Sequence, residues 1–209
     1  MRRIATLLLS LLALGCMQAK NVAEYFGDVK ADEVFPSLSS VARLDMVDYF
    51  NSGMTNPTKN ELGSFSRITA LSDTMMSVDY TTGVRLELTL LPGKKPVLML
   101  IETLPLPEND SRISFYNADW KPLKKTPLKF PGLTEWLNTR DLAERESVEM
   151  VLPFMLCTAS FDPLSQDLVF TSTIDSYFAK EKPKILSLLR KSLVYHWDGK
   201  NFKPVKTDE

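Results

Sequence analysis

Histidine and cysteine are nearly absent from this sequence, which has one histidine, His196, and two cysteines, Cys16 and Cys157, in 209 residues. A tetrahedral zinc site built on nitrogen and sulfur needs four such ligands, so zinc here would have to borrow carboxylates. Neutral-pH nucleophilic catalysis also loses its usual base, because His196 sits between Tyr195 and Trp197 in a strand-like segment that turns it away from those aromatics. Glycine is scarce, at eight residues, and no G-x-G-x-x-G, phosphate loop or G-x-S-x-G elbow occurs. An excess of one charge is missing too: 25 lysines and arginines meet 26 aspartates and glutamates, so no strong field draws nucleic acid. Lysines gather at 121, 124, 125 and 129 and between 180 and 191, but acids and prolines interrupt them as on a solvated surface. No apolar run reaches the roughly 20 residues that span a bilayer. Pro92, Gly93, Lys94 and Lys95 break the most apolar region, between Val84 and Leu104.

What is present begins with an address. Arg2 and Arg3, an apolar run from Ile4 to Leu14 and then small residues form the three parts of a signal peptide, residues 1–19. Cleavage after Ala19 is the favoured fate. The alternative is a lipoprotein anchored through Cys16, for which Gly15 fits and Ala13 and Leu14 do not. Val22, Tyr25 and Phe26 are spaced like one face of a helix close behind, leaving little of the polar tether a lipid-anchored domain uses. Either way the protein is expected to be periplasmic or extracellular, with no transmembrane span. Residues 20–209 then make one domain, with a possible division at 129/130. With the leader gone, Cys157 has no partner for an intrachain disulfide, and its place in PFMLCTASF predicts a buried structural thiol.

Periodicity changes twice along this domain. SSVARLDMVDYFNSG predicts a helix capped by Ser39 or Ser40 and stopped at Gly53, burying Val41, Leu44, Val47 and Phe50. The pattern then switches to two: SRITALS, MMSVDY, VRLELTLL, PVLMLIETL and RISFYN read as an antiparallel meander, with hairpin turns at TTG and PGKK. Short helices are expected at TEWLNTR, capped by Thr134, and from Ala143 to Val151. Strands follow at PFMLCTASF and DLVFTST, then a helix PKILSLLRK and a terminal hairpin turning at Asp198 and Gly199. The fold class is therefore α+β, an antiparallel sheet with helices packed on one face. Tyr116 to Leu123 can be laid against Trp197 to Val205, both reading aromatic, polar turn, aromatic, Lys, Pro, aliphatic. That opens the option of two similar helix-plus-sheet halves, 20–129 and 130–209.

The RLDMVDYF helix, SFSRITALSDTMMSVDY, SFYNADWKPL, CTASFDPLSQDLVFTST and LVYHWDGKNF together resemble an uncharacterised Bacteroidales family of exported proteins, domain of unknown function 3256. The resemblance implies export and a shared fold but no reaction, since the family carries no catalytic residues to transfer. The element order is also similar, at the level of fold alone, to periplasmic modules with a beta-lactamase-inhibitor-like arrangement.

Candidate sites are few. Asp45 and Asp48, three apart on one helix with Arg43 before them, form a carboxylate pair that acid–base chemistry can use. The same residues also read as the helix's polar stripe, as do Glu144, Glu146 and Glu149 near Arg145. Asp162 with Asp167, and Asn109 with Asp110, offer loop oxygens to calcium but lack the dense alternation of a dedicated loop, so turn chemistry accounts for them. Five aromatics, Tyr116, Trp120, Tyr195, Trp197 and Phe202, concentrate in the two hairpins. Exposed, they would anchor an interface; inward, they would be core. The expectation is a non-enzymatic binding module for an unknown envelope protein or ligand, without metal or cofactor. The alternative is an envelope hydrolase built on Asp45 and Asp48. The address is testable directly: intact-mass analysis of protein from its own host should place the N-terminus at or near Lys20, and a diacylglyceryl-modified Cys16 would replace this expectation with a lipoprotein.

Overall fold

The computed structural model describes residues 20–105, 108–175 and 183–206; the leader 1–19 with Cys16, and Lys180 and Lys182 of the second lysine cluster, lie outside the described residues. The first helix, α1 (Val22–Gly27), starts on a reciprocal capping box. Glu24 N–H donates to Asn21 Oδ1 at 2.9 Å and Asn21 N–H to Glu24 Oε2 at 2.8 Å. Val22, Tyr25 and Phe26 are buried, as their spacing predicts. A 3-10 turn (Val29–Ala31) leads toward α2 (Ser40–Asn51), capped by the Ser39 hydroxyl and followed by Gly53 in the left-handed region at φ 69°.

The buried face of α2 is not the one its apolar spacing predicts. Val41 and Leu44 are 66% and 50% exposed and Val47 and Phe50 half-buried, whereas Arg43 is fully buried beside Met46. Hydrogen bonding explains the rotation. Arg43 Nε donates to Phe26 O at 2.6 Å, its Nη2 to Asp28 O at 2.8 Å and Asp32 Oδ1 at 2.7 Å, and its Nη1 to Leu38 O. The irregular chain from α1 to α2 presents the carbonyls of Phe26 and Leu38 to the interior, and one guanidinium, with five donors in a planar fork, collects them, adding Asp28 O, which also accepts Ala31 N–H at 2.9 Å. Phe26 and Phe35 lie 5.9 and 5.6 Å from its central carbon by ring centroid. Arg43 thus does not belong to the polar stripe of Asp45 and Asp48.

Among the described residues ten strands follow, all antiparallel and divided between two sheets. The larger is a meander of β1 (Thr58–Lys59), β2 (Phe65–Leu71), β3 (Met75–Thr81), β4 (Val84–Leu91), β5 (Val97–Pro105) and β6 (Asn109–Asn117), neighbours in chain order. The short helices α3 (Leu133–Trp136) and α4 (Leu142–Val151) separate it from β7 (Cys157–Asp162) and β8 (Asp167–Ser172). After the single turn α5 (Pro183–Leu186), β9 (Ser192–Trp197) and β10 (Phe202–Pro204) complete a four-stranded sheet in the order β10-β9-β8-β7. The α+β class is as expected, with the strands in two sheets.

β5 shows how the layers stack. Its apolar run points Leu98 and Leu100 into a core with α1, α2 and Trp120. Met99 and Ile101 point into a second core with Phe161, Phe170, Tyr195 and Trp136. A strand buried on both faces reads as continuous apolar residues, the pattern of this segment. The sheets meet where β6 lies beside β7 without a backbone ladder. Cys157 N–H donates to Asp110 Oδ1 at 3.1 Å and Ala159 N–H to Ser111 Oγ at 3.0 Å, so side chains satisfy the edge of β7.

Three local expectations change. The helix foreseen at 183–191 ends at Leu186, because the chain beyond it pairs with α3: Asn138 N–H donates to Leu188 O and Arg190 N–H to Trp136 O, both at 2.7 Å. α3 is one turn capped at Gly132 rather than Thr134. The hairpin equivalence also shifts. Pro122 lies opposite Tyr116, and Pro204 opposite Tyr195 across a longer turn, so the residue laid against Tyr116 is Tyr195 and not Trp197.

Arg43 generates the stability test. Arg43→Met strands the carbonyls of Phe26 and Leu38 in the core, while Asp28 O keeps Ala31 N–H, and should cost about 3–5 kcal/mol by urea unfolding. Asp32→Ala, whose carboxylate is 53% exposed, should cost about 1 kcal/mol or less. Similar losses in the two variants would contradict the hub assigned to Arg43.

Candidate functional site

The hairpin aromatics are inside the protein. Trp120, Tyr195, Trp197 and Phe202 are 4%, 5%, 2% and 6% exposed, and Tyr116 is half-buried. Of the two readings of these rings the inward one holds, because strand alternation points the β9 and β10 rings at the facing sheet. Trp197 and Phe202 sit 4.9 Å apart by ring centroid, and Phe202 meets Phe161 edge-on at 6.0 Å. Trp120 adopts φ 58°, uncommon for a bulky residue, and folds its ring back against Phe35 and Tyr116, each at 5.4 Å. The structure brings Tyr116 and Trp120 together in one core and Tyr195, Trp197 and Phe202 in the other.

Both indoles nevertheless lead to a site. Trp120 Nε1 donates to Tyr25 O at 3.0 Å and Trp197 Nε1 to Pro92 O at 2.7 Å. Tyr25 and Pro92 lie on the walls of one cleft of about 480 Å³, formed where the end of β4 and the β4–β5 turn pass between α1 and the β7–β8 turn. Apolar surface comes from Leu90, Leu91, Phe161 and the rings of Pro96 and Pro163. Lys20 and Lys94 contribute ammonium groups, and no carboxylate lines the cleft. Lys20 is held by Asp28 at 2.9 Å, and Asp28 stays below the usual carboxylate range through the Lys30 backbone N–H first and Lys20 second.

Thr89 is the anomaly in the wall. It is 1% exposed, and its Oγ1 has no hydrogen-bond partner. Its cross-strand neighbours are Met75 and Met99, which bring no strong acceptor or donor to it. A buried hydroxyl without a partner costs about 1–3 kcal/mol; Ser37, Thr58 and Ser172 share the feature among the described residues, but only Thr89 lies in the wall of this cleft. Gln166, also in the wall, takes φ 61°. It is clamped by its N–H to Asp162 O at 2.8 Å and by Trp197 N–H to its own carbonyl at 2.9 Å.

The family described as protein of unknown function (DUF3256) matches residues 15–202. The chain belongs to this family. No curated protein matches it. A solved structure, a domain of an uncharacterized protein from Porphyromonas gingivalis W83, is similar at a TM-score of 0.74 and 21% identity, covering 90% of this chain and 100% of that one. That likeness shows the shared fold.

A second hollow of the DUF3256 chain, about 540 Å³, opens between the end of α2 and β2, lined by Met46, Tyr49, Phe50, Met54 and Ile68 with Arg67 at its edge. It forms because β1 pairs for only two residues: Pro57, just before it, has no N–H to extend the ladder along β2. Arg67 is paired with Asp79 at 3.0 Å. Asp45 and Asp48 are exposed and line neither hollow. His196 is exposed and faces Asp167 across the ladder, Nδ1 to Oδ1 at 2.8 Å. Of the loop oxygens assigned to turn chemistry rather than calcium, Asp162 does serve a turn, accepting Leu164 N–H at 2.9 Å, and its carboxyl is held low by that bond first; Asn109 and Asp110 instead lie in β6, where Asp110 accepts Cys157 N–H, and Asp167 faces His196. No group of three or more histidine, cysteine, aspartate or glutamate side chains able to hold a metal occurs among the described residues.

What sequence reasoning missed is the cleft, whose lining comes from four separated segments; Thr89 alternates correctly in VRLELTLL and carries no local mark. Cys157 supplies the test. Burial first, then the nearby Asp110 carboxylate, pushes its thiol up to about 12, so little thiolate exists at pH 8. Iodoacetamide should label native protein at least about tenfold more slowly than urea-unfolded protein. Equal rates would show an accessible, reactive thiol instead.

Proposed function

We propose that the protein is an exported binding module of the cell envelope, not an enzyme, and that it holds its ligand in the cleft between α1 and the β7–β8 turn. The observation that carries this reading is the partnerless Thr89 hydroxyl in the wall of a largely apolar hollow. The hollow lies within the roughly 300–1,000 Å³ range of small-molecule sites, which combine apolar walls with a few polar groups. Export is supported by Arg2, Arg3 and the apolar run from Ile4 to Leu14. The tryptophans act beneath the surface, bracing the cleft rather than touching a partner. The hydrolase alternative finds Asp45 and Asp48 on open helix surface, outside both hollows.

N-phenyl-1-naphthylamine, a neutral probe that fluoresces in apolar sites, gives the test. The purified protein should bind it, and Pro163→Glu, a change at an exposed rim residue, should weaken binding by about tenfold, since a carboxylate in an apolar site must be desolvated. Asp45→Asn with Asp48→Asn should leave binding unchanged and stability within about 1 kcal/mol. Binding that survives Pro163→Glu but falls with Met54→Glu would move the site to the hollow beside α2. No binding at all would remove the cleft reading.

A further inference from the structure

Resting on the cleft as the binding site, the distribution of its charged and apolar groups narrows the ligand. Among the described residues every ionic side chain in the lining is cationic, Lys20 and Lys94, and the remaining polar side chains, Tyr25, Thr74, Thr89 and Gln166, each have a donor to offer. Lys94 has no carboxylate within ion-pair distance among the described residues and is exposed at the mouth. Its turn is held in place. Trp197 Nε1 bonds Pro92 O at 2.7 Å, and a side chain at Gly93 would approach Gly199 O to 3.1 Å, so the β4–β5 turn lies tight against the β9–β10 turn. Lys20, bonded to Asp28, sits 5.6 Å from the Tyr25 ring centroid.

Beside these cations the lining is apolar, with buried Leu91 and Phe161 and three exposed proline rings. A cation would meet two ammonium groups, and the nearby Asp28 carboxylate is already taken by Lys20. A wholly neutral apolar ligand would leave the rim donors and the Thr89 hydroxyl unused. We propose that the cleft takes a small amphiphilic anion, a carboxylate or phosphate head on an apolar body. The head lies at the rim with Lys94 and Lys20, and the body lies against Phe161 and the prolines. Thr89 belongs to the same wall. Its hydroxyl has no protein partner to give up when a ligand oxygen reaches it by rotation of χ1. Because the ligand would touch α1 and β4 on one side and the β7–β8 turn on the other, it also bridges the two sheets.

Octanoate, octyl phosphate and 1-octanol separate head from body. By calorimetric titration of the purified protein, one or both anions should bind at least about tenfold more tightly than the alcohol, and added salt should narrow the gap. The tighter of the two anions names the head group. Lys94→Glu should weaken the anion by about tenfold or more and leave 1-octanol unchanged. Thr89→Val, of the same shape, should raise the melting temperature while lowering anion affinity. Equal binding of octanoate, octyl phosphate and 1-octanol would overturn the anionic class yet leave an apolar cleft site standing. Anion binding indifferent to Lys94→Glu and Thr89→Val would overturn the placement. If neither these ligands nor the neutral naphthylamine binds, both readings fall together.

Discussion

Much of this structure depends on one buried guanidinium. The chain between α1 and α2 turns several times in few residues, and such turns leave carbonyls without backbone donors. Arg43 gathers Phe26, Asp28 and Leu38 by their carbonyls and Asp32 by its carboxylate. Because three of these acceptors are neutral, the charge is solvated by peptide dipoles rather than by a single counter-ion, which spreads its desolvation over several bonds. That clamp fixes how α2 faces the sheet, and with it the place of α1, whose Tyr25 forms one wall of the cleft.

The two indole donors extend the same logic. A buried tryptophan must place its N–H, and here Trp120 and Trp197 place theirs on carbonyls from distant segments, Tyr25 and Pro92. The first bond ties the first hairpin to α1. The second ties the terminal hairpin of the smaller sheet to the β4–β5 turn of the larger one. The cleft is therefore braced by bonds from both cores, while the seam between β6 and β7 is closed by side chains of Asp110 and Ser111 rather than by a ladder. This supports a hollow whose shape is set before any ligand enters it.

Strand content was largely legible. Alternation in VRLELTLL and the unbroken run in PVLMLIETL correspond to β4, with polar residues among its apolar ones, and to β5, buried on both faces. The cap of α2 and the stop at Gly53 were local chemistry and came out as local chemistry. The facing of α2 was not legible, because Arg43 counts as polar in any periodicity and only its carbonyl partners, up to 17 residues away, make its burial tolerable. The aromatic hairpins were visible as a concentration of rings, but their direction depended on what stood opposite them.

The sequence by itself determined the α+β class and the run of strands, properties carried by composition and by neighbours in the chain. Tertiary structure alone decided that the strands split between two sheets, that the ring-bearing hairpins turn inward, and that Lys20, Thr89, Lys94 and Phe161 border one hollow. The physical reason is range. Caps, turns and alternation are set within a few residues, whereas a cleft is defined by surfaces that become neighbours only when apolar area from distant segments is buried together.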